Sequence, residues 1–297
     1  MTTDAALAMG AAGVLAHSLV ARAATDSGVR ALSIKGGFAA DFGLRDRRSS
    51  ADADILIDPN NIERLCDQLG DRGWHTRAGR LPPTFIDLHS VTLINDRWPC
   101  DLDIHRYFPG FFAPPEVVFE LLWEGRVVHR ETGIEVLTPS RAGMAVVVAL
   151  HAARTPYLDK SRRDLETVRD AVSLDFTRAE TADFLAIVRG GRAQWVLEDL
   201  LTTLGLPATD DAAASEKQAW RRNQQRASDK SADLWIREVA EAPLFRKPGV
   251  LLEVLWVPRE HIPRNDPNRL PTPREAWRYQ RSRWVRGAKA LLGFLRP

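Results

Sequence analysis

Apolar positions follow two rhythms along this chain. Up to about residue 138, short β-rich runs alternate with stretches of helical period. Beyond it, nearly every apolar stripe keeps the helical spacing i, i+3, i+4, i+7. Leu7, Val14, Leu15 and Leu19 predict a first helix over 5–24, weakened by Gly10 and Gly13. Val29 to Ile34 reads as a short strand ended by Lys35-Gly36-Gly37, with a helix over 38–44 entered through the permissive backbone of Gly37. A basic loop over 45–50 leads into a strand that opens Ala51-Asp52-Ala53-Asp54 and closes Ile55-Leu56-Ile57. Pro59 and Asn60 start a helix to Gly70, with Ile62, Leu65, Cys66 and Leu69 on one face, and an extended piece begins at Gly73. Runs over 87–94 and 100–107 predict two strands around an Asn95-Asp96-Arg97 hairpin turn, and Pro115 opens a helix to Trp123.

After Leu137-Thr138-Pro139-Ser140 the pattern predicts helices over 140–153, 158–172, 178–188, 193–204 and 275–295. Residues 209–217 are small and polar and read as a loop or hinge, and 258–273 as an irregular, proline-rich surface stretch. There is no internal repeat. The expectation is an α+β fold: an N-terminal mixed β-sheet with flanking helices over 1–138, then an α-helical region over 139–297.

Composition narrows this picture only a little. The chain has 297 residues, 44% hydrophobic and 27% charged, with a net charge of +2 that is too small to imply a nucleic-acid partner by itself. Cys66 and Cys100 stand in no metal-ligand spacing and point to two buried thiols in a reducing compartment. No apolar run reaches the roughly 20 residues of a membrane span. The alanine-rich N-terminal stretch has Asp4 where a signal peptide wants positive charge and His17 inside its apolar part. It reads as a helix packing on the next domain, in a cytoplasmic protein.

The chemistry concentrates between Lys35 and Asp54. Alternate side chains of a strand share a face, so Asp52 and Asp54 lie together. Two such carboxylates repel unless a divalent cation sits between them, and magnesium favours this kind of oxygen ligation beside substrate phosphates. Gly36 and Gly37 allow backbone N–H groups to approach phosphate oxygens at a helix start. Asp101 and Asp103 share a face on the later strand, with His105 next in line. If the two strands are neighbours, three acids can surround two metal ions, a clamp suited to phosphoryl or nucleotidyl transfer.

The ordered set Lys35-Gly36-Gly37, Arg48, Asp52-Ala53-Asp54-Ile55 and Asp103-Ile104-His105, with Ala149-Leu150-His151-Ala152 and the pair Lys160 and Asp164 beyond it, resembles the uncharacterised nucleotidyltransferase family of the DNA polymerase beta-like nucleotidyltransferase superfamily. The resemblance covers roughly residues 5–175. It implies a nucleotidyltransferase-type sheet and a magnesium-dependent, ATP-binding type of transferase, which moves a nucleoside monophosphate from an NTP to an acceptor hydroxyl of tRNA, a small molecule or a peptide or protein. It implies metal ligation and catalysis by Asp52, Asp54 and Asp103, with two Mg2+ ions. It implies nucleotide binding by Lys35, Gly36, Gly37, Arg48, Ser50 and Lys160. The sequence adds Asp101 to the pattern, so Asp101 competes with Asp103 for the third carboxylate, and His105 is an additional candidate. The other reading is a non-catalytic NTP-binding or RNA-interacting module of the same fold.

The last predicted helix places Trp277, Trp284, Ala288, Leu291 and Leu295 on one face and Arg278, Arg281, Arg283, Arg286 and Lys289 over the rest. The first expectation is a docked helix with its arginines in water. With Arg259, Arg264, Arg269 and Arg274 ahead of it, the same surface suits a polyanion such as RNA.

Overall fold

Strand β1 (Ala31–Ile34) lies antiparallel to β2 (Asp52–Ile57), and β2 lies parallel to β5 (Asp101–His105). Strand β4 (Ser90–Ile94) then pairs antiparallel with β5, and β3 (His75–Thr76) antiparallel with β4, giving the order β1-β2-β5-β4-β3. Helix α1 (Met9–Ser27) precedes the sheet, α2 (Gly36–Asp41) and α3 (Ile62–Gly70) lie between its strands, and α4 (Pro115–Glu124) follows β5. Helices dominate after Thr138: α5 (Arg141–Ala153), α6 (Asp159–Asp170), α7 (Arg178–Gly190), α8 (Glu198–Thr203), α9 (Ala214–Ala227) and α10 (Pro273–Phe294). The expected fold class is therefore the observed one. The computed structural model describes residues 9–48, 50–76, 89–210, 212–227, 247–249, 255–257, 259, 262 and 271–294. The chain divides into two compact units, Met1–Arg77 with His89–Arg221, and Ala78–Leu88 with Arg222–Pro297.

In the first unit, strand alternation sorts the sheet into two faces. Ala53, Ile55 and Ile57 of β2 and Leu102 and Ile104 of β5 join one apolar cluster with Ala12, Ala16 and Val20 of α1 and Leu65 and Leu69 of α3. Leu32, Ile34 and Leu56 join a second cluster with Phe38, Phe119, Phe184 and the body of α5. Ten of the thirteen α5 residues are buried, so this helix is apolar nearly all round and forms the centre of the second layer. Among the described residues, no helix is long and apolar enough to cross a membrane.

The structure revises several sequence expectations. Helix α1 turns Ala12, Ala16, Val20, Ala23 and Ala24 inward, while Val14 is 40% exposed; Leu7 lies outside the described residues. The small side chains let the helix come close to the sheet, which outweighs the larger hydrophobes. Helix α2 starts at Gly36 instead of residue 38. A hairpin, β6 (Val127–Glu131) and β7 (Ile134–Thr138), fills a stretch for which no strands were expected. Thr132 and Gly133 both adopt positive φ, 54° and 81°, the backbone of a tight hairpin turn. Only Val136 and Thr138 of its ten strand residues are buried, and apolar and polar side chains mix on both of its faces, so the alternation is weak in the sequence. Residues 214–217, read as loop, instead begin α9, and the helix expected over 193–204 is confined to α8 after a turn.

Candidate active site

The face of the sheet opposite α1 and α3 carries the acids. Because β2 and β5 are parallel and in register, Asp52 stands beside Asp101, Asp54 beside Asp103, and Leu56 beside His105. Metal-capable atoms of Asp54, Asp103 and His105 all lie within 4.8 Å of one another. Asp52 and Asp101 share the face but stand outside that trio; Asp52 is half-buried and accepts a 2.7 Å hydrogen bond from the Ser50 hydroxyl.

Asp54 is the most deeply held of these acids, at 5% exposure. Burial penalises its charge, but the Lys35 ammonium and the His105 hydrogen bond outweigh that penalty and keep the carboxyl ionised well below the usual carboxylate range. Lys35 Nζ sits 2.6 Å from Asp54 Oδ1, and His105 Nε2 lies 2.9 Å from the same oxygen. An ionised carboxylate can only accept, so the His105 proton belongs on Nε2. The buried His105 Nδ1 has no hydrogen-bond partner among the described residues. Asp103 behaves oppositely: burial raises its pKa, the neighbouring Asp54 charge adds to the rise, and a 2.5 Å hydrogen bond donated by Thr92 on β4 opposes it. Two adjacent carboxyls with pKa values pushed apart are the usual arrangement of an acid–base pair.

Lys35 reaches Asp54 through a strained turn. Its φ is 59° with ψ −143°, a backbone region nearly confined to glycine that costs another residue roughly 1–3 kcal/mol, and Gly36 follows with a positive φ of 54°. The ion pair, a 3.2 Å contact from Lys35 N–H to Met144 Sδ and the Phe108 ring 5.5 Å from the ammonium hold it there. A side chain at Gly36 would meet His17, whereas a Cβ at Gly37 would meet nothing within 4 Å among the described residues. Helix α2 is only six residues long, so it offers N–H groups more than a long dipole.

The other expected cations are arranged differently. Arg48 makes a bidentate pair with Asp164 of α6, at 3.1 and 2.7 Å, so its guanidinium is committed to a buried carboxylate. Lys160, one turn earlier on α6, is exposed. Two arginines not singled out by the motif also feel the charges of the acids. Arg45 has its pKa lowered by burial and by Arg48, against the pull of Asp164, Asp54 and Asp52, and its buried Nε has no partner among the described residues. Arg154, at the end of α5, is lowered by burial against the pull of Asp54 and Asp103. Among the described residues neither forms an ion pair. Motif spacing gave no signal for either; a guanidinium one residue past a buried helix was the only hint.

Histidines complete the surroundings. His17 bonds Ser33 at 2.9 Å, and burial lowers it to about 4 despite Asp54 and Asp52. His89, its ring 5.7 Å from that of His105, is lowered to about 3 by burial and by the neighbouring cationic groups. His151 is likewise lowered by burial and then by Lys35. These rings are neutral at physiological pH, which leaves the positive charge to Lys35, Arg45 and Arg154.

No protein-family model and no curated protein matches the sequence. Among solved structures the chain is similar to the antibiotic-resistance factor ANT(2'')-Ia, with 14% identity and a TM-score of 0.40 over 65% of this chain and 96% of that one. It is also similar to an antigenic nucleotidyltransferase-like protein from Paracoccidioides brasiliensis, with 11% identity and a TM-score of 0.37 over 64% and 91% of the two chains. Both TM-scores fall below 0.5, and the functional reading rests on the site geometry.

Proposed function

We propose that this chain is a divalent-metal-dependent nucleotidyltransferase that transfers a nucleoside monophosphate from an NTP to an acceptor hydroxyl and releases pyrophosphate. The observation that carries the reading is the in-register pairing of Asp54 and Asp103 on parallel strands, within reach of each other and of His105.

The donor set fits a cation. Two carboxylates converge, and a buried ammonium already occupies one carboxylate oxygen. Oxygen ligands favour magnesium, so Asp54 and Asp103 are the proposed ligands, with Asp52 joining them if two ions bind. A bound divalent ion supplies charge neutralisation for a triphosphate and for the attacking and leaving oxygens. The chain's own groups do the rest. The backbone at Gly36 and Gly37, with Lys35, Arg45 and Arg154, faces the triphosphate. Ser50 orients Asp52, and Arg48 fixes the preceding loop on α6; Lys160 lies within reach of solvent to meet an incoming anion. Asp103, whose pKa burial raises, takes the proton of the acceptor hydroxyl. His105 holds Asp54 in place through Nε2. The acceptor is a hydroxyl of tRNA, a small molecule or a peptide or protein, and a cytoplasmic setting supplies the nucleotide.

The test is incubation with each α-labelled NTP, magnesium and acceptor pools. Wild-type protein transfers label, and Asp54→Asn loses several kcal/mol of transition-state stabilisation, a factor of about a thousand or more. Equal labelling by both proteins would sink the reading. If neither transfers label, calorimetry decides: magnesium-dependent NTP binding leaves a non-catalytic nucleotide-binding module, and no binding removes the nucleotide altogether.

A further inference from the structure

Helix α10 belongs to the second unit and presents two unlike sides. Ala276 and Gln280 are buried, and Ala276 packs with Val257, Ile262 and the partly buried Tyr279. On the opposite side Arg274, Trp277, Arg278, Arg281, Val285 and Ala288 are all exposed, at the spacing i, i+3, i+4, i+7, i+11, i+14 of one helical face. The helix is docked with these arginines in water, as the sequence suggests, but through Ala276 and Gln280, and Trp277 of the expected apolar face points outward; Leu295 of that face lies outside the described residues. Calling the outward side a water-facing polar surface does not suffice, because it exposes large rings.

The segment before α10 adds to that surface. Gln280 Nε2 donates to the Val257 carbonyl at 2.6 Å, and Trp284 Nε1 to the Leu255 carbonyl at 2.8 Å. These bonds strap residues 255–257 along the helix and leave Trp256 beside Trp277, ring centroids 6.5 Å apart. Trp256 is 54% exposed and Trp277 52%. Trp277 also meets Trp284 edge-on at 5.5 Å, so its ring is held although it faces water. Around it Arg274, Arg278 and Arg281 form no ion pair among the described residues.

We propose that this surface binds single-stranded nucleic acid, with Trp256 and Trp277 as stacking platforms and Arg274, Arg278 and Arg281 on the phosphates. Unstacked bases offer their faces to aromatic rings in any sequence, and a basic track alongside follows the backbone. Arginine suits it better than lysine, since its planar group both pairs with phosphate and stacks. A helix lying on an anionic membrane instead needs its apolar face separated from its charges, whereas here Trp277 sits between Arg274, Arg278 and Arg281 on the same face. The proposal is independent of the nucleotidyl-transfer reading.

The experiment uses the full chain and measures fluorescence anisotropy of labelled single-stranded RNA and DNA oligonucleotides, with phosphatidylserine-containing vesicles as a parallel arm. Binding to single strands is expected, weakening steeply between about 50 and 200 mM salt. Trp277→Ala should weaken it about ten-fold. Arg278→Ala/Arg281→Ala should lower the slope of log affinity against log salt by about 1.4. Both sites are exposed, and circular dichroism checks that the variants stay folded. Asp54→Asn should bind as the wild type does, which separates this result from the fate of the catalytic reading. The proposal is overturned by absence of binding at low salt, by variants that bind like the wild type, or by wild-type protein that sediments with vesicles while ignoring the oligonucleotides.

Discussion

Thr92 and His17 show how single side chains set the chemistry around the acids. Thr92 donates a 2.5 Å hydrogen bond that favours the ionised form of Asp103 against burial. Thr92→Val keeps the volume and deletes the bond, so the Asp103 pKa rises further. The acid limb of the pH–rate profile is then expected to move to higher pH, and metal affinity to fall by about 10- to 100-fold, the usual cost of losing a group that orients a ligand. Unchanged profiles would show that Asp103 need not be ionised. His17 is a stability group. Burial lowers its folded-state pKa to about 4 from an ordinary 6.5, so its contribution is complete above pH 6.5 and is lost as the pH falls from 6.5 towards 4. Over that window the loss is on the order of 3 kcal/mol. His17→Gln, which can still bond Ser33 but does not titrate, should flatten the fall; urea midpoints across the window measure it, and parallel curves for the two proteins would contradict it.

At the scale of elements, close packing decides where helices can meet loops. The N–H groups of Phe112 and Ala113 donate to the Gly191 carbonyl at 3.0 and 3.1 Å. A Cβ at Gly191 would lie 2.3 Å from the Phe111 ring, so only glycine admits that approach at the end of α7. Its φ of −79° is ordinary, and the constraint is therefore steric. Gly191→Ala should destabilise the protein by about 1–3 kcal/mol, read as a lower urea midpoint, with Phe111→Ala in the same chain recovering part of the loss. Strand alternation was fully legible in the sequence: Asp52 and Asp54, and Asp101 and Asp103, fall on one face because the period is two. The helical period of α3, α5 and α7 was equally plain. The β6–β7 hairpin was hidden because apolar and polar residues mix on both of its faces, and the inward face of α1 because alanine contributes little apolar contrast.

Across the first unit, the loop after α2 is tied to the helical half of the chain by Arg48 and Asp164, 116 residues apart. Asp164 is 2% exposed, so removing its partner leaves a buried carboxylate uncompensated. Arg48→Ala is expected to cost about 1–3 kcal/mol, less than a fully buried pair because the Arg48 side chain is 32% exposed. Arg48→Ala/Asp164→Leu should restore much of the stability, as measured by denaturant melts; a double variant as unstable as the single one would point to a different role for Arg48. The motif places Arg48 with the nucleotide; the tertiary structure adds that its guanidinium pairs with Asp164 and that Arg45 also feels the charges of Asp164, Asp54 and Asp52.

The sequence alone determined what local periodicity can encode. It held the α+β order of elements, the shared face of the acids, the glycine turn after β1 and the change to helices after Thr138. Each depends on residues a few positions apart, where strand and helix geometry is fixed by the backbone. The tertiary structure alone decided which distant groups meet. Asp54 pairs in register with Asp103, 49 residues on, and takes the Lys35 ammonium and His105 at one oxygen; Arg45 and Arg154 are left without ion pairs among the described residues; and Trp277 faces out beside Trp256. Strand order, burial and side-chain direction produce those meetings, and they arise only when the whole sheet and its helices have packed.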